Sequence, residues 1–212
     1  MLDLGVVSAL NRMLSGGLTK VVVSDEYKLV YIPIGKNSNS YIKSLLLRNL
    51  YEDYDPVWDT PISYQKKTGN HLYRPLKSAR LSDKYDRLIL LRDPFKRFLS
   101  GWYDKAVNKY PDRTDYLDEI KGAGRAGTVT FEEFVDYVVG IPDWRRNHHF
   151  RSQSYYFSFL EKYEHIGRVE NLNKTIQYLN SKGLKLFCEE GLQGGVLKNH
   201  VMQNLMVLIL RS

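Results

Sequence analysis

The 212-residue chain has one cysteine, Cys188, so neither an internal disulfide nor a cysteine-rich zinc site can be built from it. A reducing compartment is the economical reading. No apolar run approaches the roughly 18 residues that span a bilayer, and there is no internal repeat or low-complexity tract. The opening MLDLGVVSALNRML is short and carries Asp3 early, unlike a secretory signal. Val6, Ala9, Leu10, Met13 and Leu14 instead fit one helix face. The closing LMVLILRS reads as a core strand or helix. No metal-ligating constellation stands out, and no RNP-like or helix-turn-helix pattern accompanies the dispersed cations, so neither a metal nor a nucleic-acid partner is expected. What is present is ordinary for a soluble globular protein: 43% apolar and 26% charged residues. The length suits a single domain over 1–212. The net charge of +7 favours an anionic partner.

Two segments share one plan: residues 28–46 (KLVYIPIGKNSNSYIKSLL) and 86–105 (DRLILLRDPFKRFLSGWYDK). Each passes from a short apolar run, through a turn with a cation and small polar residues, into an amphipathic helical pattern. Such strand–turn–helix junctions present main-chain N–H groups and a positive dipole end to anions. Residues 28–33, 87–91 and 165–169 read as buried strands. Helices are expected from Ser40, with Ile42, Leu45, Leu46 and Leu50 inward, and from Pro94, with Phe95, Phe98, Leu99, Trp102 and Ala106 on one face. Thr130 with Glu133 forms a capping-box pattern, and 172–179 is a helix stopped near Gly183. Residues 51–70 read as a long loop with room for one short helix, and 110–127 as a surface excursion. Strands separated by helices predict an α/β fold, a three-layer P-loop-like domain with a central parallel sheet flanked by helices. Ligands bind such sheets at the carboxyl ends of the strands, where both turns lie.

The first turn, Gly35-Lys36-Asn37-Ser38-Asn39-Ser40, is not a Walker A loop: Val30 stands where that motif needs glycine, and Asn37 where it needs Ser or Thr. Amides of residues 37–40 and the Ser40 hydroxyl can wrap a phosphate, with Lys36 reaching its bridging oxygen. Taken alone, the turn reads first as a helix N-cap at Ser38 or Ser40 beside a surface lysine. The second turn places Arg92 at a strand end and Ser100 eight residues on, off the aromatic face. An arginine fork with a hydroxyl suits a terminal phosphate; alone, Arg92-Asp93 is equally a local ion pair and Ser100 a solvated residue.

Together the segments resemble the sulfotransferases that use 3′-phosphoadenosine-5′-phosphosulfate (PAPS), particularly the carbohydrate branch (family 2 and heparan 2-O-type). In that family a pattern like P-x-P-K-x-x-x-T holds the 5′-phosphosulfate. Residues 33–40 follow it, with Gly35 for the second proline and Ser40 for the threonine. A second pattern, R-(D/E)-P-x-x-R-x-x-S, holds the 3′-phosphate, and Arg92 to Ser100 match it completely. TFEEFVDYV, NHHFRSQS and HIGRVENL resemble the family's downstream order, so the likeness covers about residues 28–179. Past that point the family has a closing helix rich in Tyr, Asp and Phe, whereas this chain ends in LMVLILRS, a divergent or shortened terminus. With neither the membrane anchor nor the disulfides of Golgi members, a cytoplasmic enzyme is expected.

The resemblance implies in-line sulfuryl transfer from PAPS to a hydroxyl of a carbohydrate or similar polar acceptor. It gives Lys36 the leaving-group charge, Ser40 and the loop amides the 5′ side, and Arg92 and Ser100 the 3′-phosphate. A histidine near its ordinary pKa suits the base. Among five histidines, His71 stands at the family's interval before the arginine strand, and His149 is second; His165 reads as structural. Glu170 reads as an orienting or helix-capping carboxylate. Arg145, Arg146 and Arg151 either meet an acidic acceptor or form a solvated loop. The competing functions are a non-Walker P-loop-like kinase or phosphatase, and a non-catalytic nucleotide- or nucleic-acid-binding module.

Overall fold

A computed structural model describes residues 20–69, 73–75, 84–107, 129–157 and 162–186. Five strands, β1 (Lys20–Ser24), β2 (Leu29–Ile32), β3 (Tyr73–Pro75), β4 (Asp86–Leu91) and β5 (His165–Arg168), form one sheet in the order β3-β1-β2-β4-β5. The helices are α1 (Asn39–Leu50), α2 (Pro61–Thr68), α3 (Pro94–Trp102), α4 (Phe131–Gly140), α5 (Gln153–Phe157) and α6 (Leu172–Ser181). The fold is α/β, as the alternation of elements predicts.

The sheet is mixed rather than all parallel. Strands β2, β4 and β5 run parallel, with Ile32 opposite Ile89 and Ile89 opposite Ile166. Strand β1 is antiparallel to both β2 and β3. The physical cause is connection length: residues 25–28 join β1 to β2, too few for the crossover that a parallel pair needs. Lys28 takes a left-handed φ of 48° to close that hairpin. The KVVVS run is the sequence signal for β1, three β-branched residues in succession.

Alternation along the central strands buries both faces. Val22, Leu29, Tyr31, Leu88 and Leu90 meet Ile42, Leu46 and Leu47 of α1 and Ile176 and Leu179 of α6. Val21, Val23, Val30, Ile32 and Ile89 point the other way and pack with Tyr156 of α5. A third cluster joins Leu99 and Trp102 of α3 to Phe134 and Val138 of α4 and to Phe150. Phe98 packs edge-on to Phe131, Phe134 and Phe150, at 5.5–6.0 Å between ring centroids. Phe95, expected on this same face, is 52% exposed: the first turn of α3 projects beyond the aromatic cluster.

Local chemistry sets the ends as expected. Pro94 opens α3 behind an Asp93 cap, and Thr130 and Glu133 form the capping box of α4. Gly183, φ 94°, follows α6. Residues 61–68 supply the short helix within the 51–70 stretch. The readings of 1–14, 110–127 and the LMVLILRS end lie outside the described residues. Among those described, no helix is long and apolar enough to cross a membrane.

Gly167 of β5 lies directly against α6. A Cβ there would sit 2.2 Å from Thr175 Oγ1 and 2.5 Å from Leu90 Cδ2. Thr175 is fully buried and bonded to His165 Nε2 at 3.2 Å, so it has little room to retreat. Gly167→Ala is expected to lower stability by about 1–3 kcal/mol through overpacking, read as an earlier midpoint in urea unfolding.

Candidate active site

Strands β2 and β4 are neighbours running the same way, so their carboxyl ends set the lysine turn beside the arginine turn. The lysine turn is closed by Asn37 N donating to Ile34 O at 3.1 Å, and Lys36 takes φ 67°. Ser38 follows at φ 58° and α1 begins behind it. Ser38 occupies the cap position without any side-chain capping bond, and no acidic residue lies in the first turn. The plain N-cap reading is therefore not what this turn does. A helix start of this kind, beside Lys36, is suited to an anionic acceptor.

The Asn37 amide is already used within the turn, donating to Ile34 O, whereas residues 38–40 follow at the start of α1. The Asn37 side chain is fully buried and structural: Nδ2 donates to Leu90 O and to Gln153 Oε1, both at 2.7 Å. Asn39 Oδ1 accepts from the buried Tyr31 hydroxyl at 2.6 Å, while Ser40 is exposed on the first turn.

Arg92 leaves β4 half-buried and donates from Nη1 to Lys36 O at 2.9 Å, fastening the second turn to the first. Burial lowers its pKa, with Glu170 and Asp93 opposing the shift. Gln153 locks the pair: Oε1 accepts from Arg92 N at 2.9 Å and Nε2 donates to Arg92 O at 2.8 Å. Glu170 Oε1 accepts from Asp93 N at 2.9 Å, the orienting role expected of it. Arg92, Lys96, Arg168, Gln153 and Glu170 border a cavity of about 380 Å³ at the ends of β4 and β5. Ser100 is half-buried further along α3.

Arg97, part of the motif but given no role by the sequence, joins these turns to the HHF loop. It is 5% exposed; Nε donates to Gly35 O and Nη1 to Arg151 O, both at 2.9 Å, and Nη2 to His148 O at 3.3 Å. Gly35 explains why the loop can come so near. A Cβ there would lie 3.0 Å from His148 O and 3.1 Å from His149 Cα and Cδ2. Proline, the residue of the family pattern, would crowd this contact.

His149 thus stands beside the lysine turn. Asn147 Oδ1 accepts from His149 N at 3.0 Å and lies 2.9 Å from ring Nδ1. An amide oxygen only accepts, so the proton belongs on Nδ1 and the lone pair on Nε2. Burial, reinforced by His148, Lys105 and Lys36, pushes the His149 pKa from 6.5 to about 3, while Asp104 pulls the other way. The imidazole is neutral at ordinary pH. His149 also borders a second cavity of about 350 Å³, which shares Pro94 and Gln153 with the first.

His71 lies outside the described residues. His165 stacks on Tyr178 at 4.3 Å between centroids and bonds to Thr175, the structural place expected of it. Arg146 and Arg151 fit neither earlier alternative: Arg146 Nε binds Val138 O and Ile141 O, and Arg151 Nη2 binds Trp144 O and Arg146 O. Both brace the loop from within, whereas Arg145 is exposed over the Trp144 ring. Sequence reasoning also missed Gln153 and Asp104. Asp104 Oδ2 meets Lys36 Nζ at 2.7 Å.

These turns belong to a known family. The Sulfotransferase family profile matches residues 19–186. The chain is a member of that family. It is 26% identical over 184 residues to carbohydrate sulfotransferase 11 of Rattus norvegicus and of Mus musculus, covering 76% of this chain and 52% of each relative. It is 25% identical over 142 residues to carbohydrate sulfotransferase 10 of Gallus gallus, covering 60% of this chain and 39% of the relative. The chain thus spans about half the length of these relatives, or less. No solved structure gives a significant match.

The His149 shift has a direct consequence for stability. Its folded pKa lies below the ordinary 6.5, so below that pH the unfolded chain binds more protons. His148 and His165 are shifted the same way. The contribution is complete above pH 6.5 and is lost as pH falls toward about 3. Asp86 and Glu164, whose folded pKa values are lowered, add acid sensitivity only around and below their ordinary 3.8 and 4.5. Unfolding free energy is expected to drop between pH 6.5 and about 5, and His149→Gln to flatten that slope in denaturant titrations.

Proposed function

We propose that this protein transfers a sulfuryl group from PAPS to a hydroxyl of a carbohydrate. The observation that carries the reading is the Arg92–Lys36 O bond, which holds two cation-bearing turns side by side at the ends of adjacent strands. The side-chain-uncapped start of α1 and the cation-bordered cavity at β4 and β5 fit a ligand with anionic groups at two points. Family membership and the names of the relatives agree with sulfuryl transfer and with a glycan acceptor.

When bound, PAPS supplies an activated sulfuryl group with adenosine 3′,5′-bisphosphate as its leaving group. The amides at 38–40 and Lys36 hold the 5′ side, and Arg92 with Ser100 the 3′-phosphate. Fixing both ends keeps the reacting centre in register. Lys36 places positive charge where the leaving oxygen becomes anionic. His149 Nε2 takes the acceptor proton; the acceptor oxygen bonds to sulfur as the bond to the leaving oxygen breaks and its electron pair departs with the bisphosphate. Anionic groups beside Lys36 and Lys105 offset part of the cationic field on His149 and raise its basicity. The general rule is that a base works best with a pKa near the operating pH.

Calorimetric titration with adenosine 3′,5′-bisphosphate and with ATP–Mg²⁺ tests donor identity. The bisphosphate is expected to bind, and Arg92→Ala to weaken it by about tenfold or more, the loss of a charge-assisted phosphate contact. Better binding of ATP–Mg²⁺ favours the kinase reading and sinks this one.

For the base, His149→Ala and His71→Ala are compared in a glycan acceptor screen with labelled PAPS. His149→Ala is expected to keep bisphosphate binding and lose about 100-fold or more in transfer. Normal transfer by this variant, with loss in His71→Ala, moves the base to His71.

A further inference from the structure

The Lys36 ammonium is engaged before any donor arrives. Its 2.7 Å contact with Asp104 is largely shielded, the two side chains being 18% and 17% exposed. At that depth a carboxylate holds an ammonium more firmly than on an open surface. Asp104 reaches this place through a π-helical turn, Tyr103–Val107, that continues α3 directly. Such a turn accommodates one extra residue, is rare, and is frequent at functional sites. It therefore sets where Asp104 emerges from the helix that begins at the arginine turn. The same carboxylate acts on His149 with the opposite sign to Lys36 and Lys105.

We propose that Asp104 is the resting partner of Lys36, a positioning residue that keeps the ammonium beside the lysine turn and yields it to the anionic donor. The proposal rests on Lys36 being the donor-side cation. Two effects follow. Asp104 competes with the donor for Lys36, so its removal tightens binding of an anion there. Asp104 also fixes where Lys36 lies between turnovers, so its removal lowers transfer even as binding improves. A carboxylate that merely stabilised the fold would not give that opposed pair of effects.

The test uses the full chain with Asp104→Asn, Lys36→Ala and the double variant, titrated with adenosine 3′,5′-bisphosphate. Asp104→Asn is expected to bind about fivefold tighter or more, the scale of a coupling between linked sites. Most of that gain is expected to vanish when Lys36 is already alanine, and Asp104→Glu to restore affinity toward that of the parent. Unchanged or weaker binding by Asp104→Asn, or an equal gain without Lys36, overturns the proposal.

If the parent protein binds no bisphosphate, the donor assignment is what fails. The pair is then read by acetic anhydride labelling and mass spectrometry. Faster modification of Lys36 in Asp104→Asn supports Asp104 as its holder, and equal rates overturn it.

Discussion

Arg97 is the tie on which the site depends. A guanidinium buried to this degree needs its donors met, and here the lysine turn, the HHF loop and Arg151 each contribute a main-chain carbonyl. Burial lowers its pKa, with Tyr156 and Asp143 among the groups that oppose the shift. Carbonyl oxygens cannot rotate away as side chains do, so the fork fixes backbone against backbone. Loss of the side chain would leave its carbonyl partners to find new donors in a closely packed place.

Around that tie the site is assembled from pieces distant in sequence. β2 brings Lys36, β4 brings Arg92, and the loop before α5 brings His149. Gln153 and Asn37 add bonds beneath them, between the turns and the end of β4. The aromatic cluster of α3 and α4 anchors Phe150, so the HHF loop is held by packing on one side and by Arg97 on the other. The cations that would attract an anionic ligand are thus presented by a frame whose own hydrogen bonds do not require the ligand.

Much of the frame was legible in the sequence because it follows local rules. Continuous apolar runs gave the parallel strands, Pro94 and the Thr130–Glu133 box gave helix starts, and the arginine motif pointed to the family. The mixed sheet was missed because the β1–β2 turn, DEYK, contains neither glycine nor asparagine to announce a hairpin. The bonds of Asn37 within the frame were not legible, because residue type shows a small polar side chain but not that its amide closes a turn. The bonds from Arg97 to Gly35, His148 and Arg151, from Gln153 to Asn37 and Arg92, and from Asp104 to Lys36 each span 51 or more residues, and no periodicity reports such contacts. Interval is the only sequence signal for His71, whereas the environment of His149 is set by its fold neighbours.

Gly35 has a consequence for how such a protein can change. Because its missing side chain lets the two loops touch along their main chains, neither has a surface of its own on that side. They behave as the halves of one moulded part. A graft of either half from a relative with proline at this position would bring the wrong counter-shape, however well its catalytic residues aligned. Divergence here is constrained to proceed in matched pairs, with the contour of one loop recorded in the other.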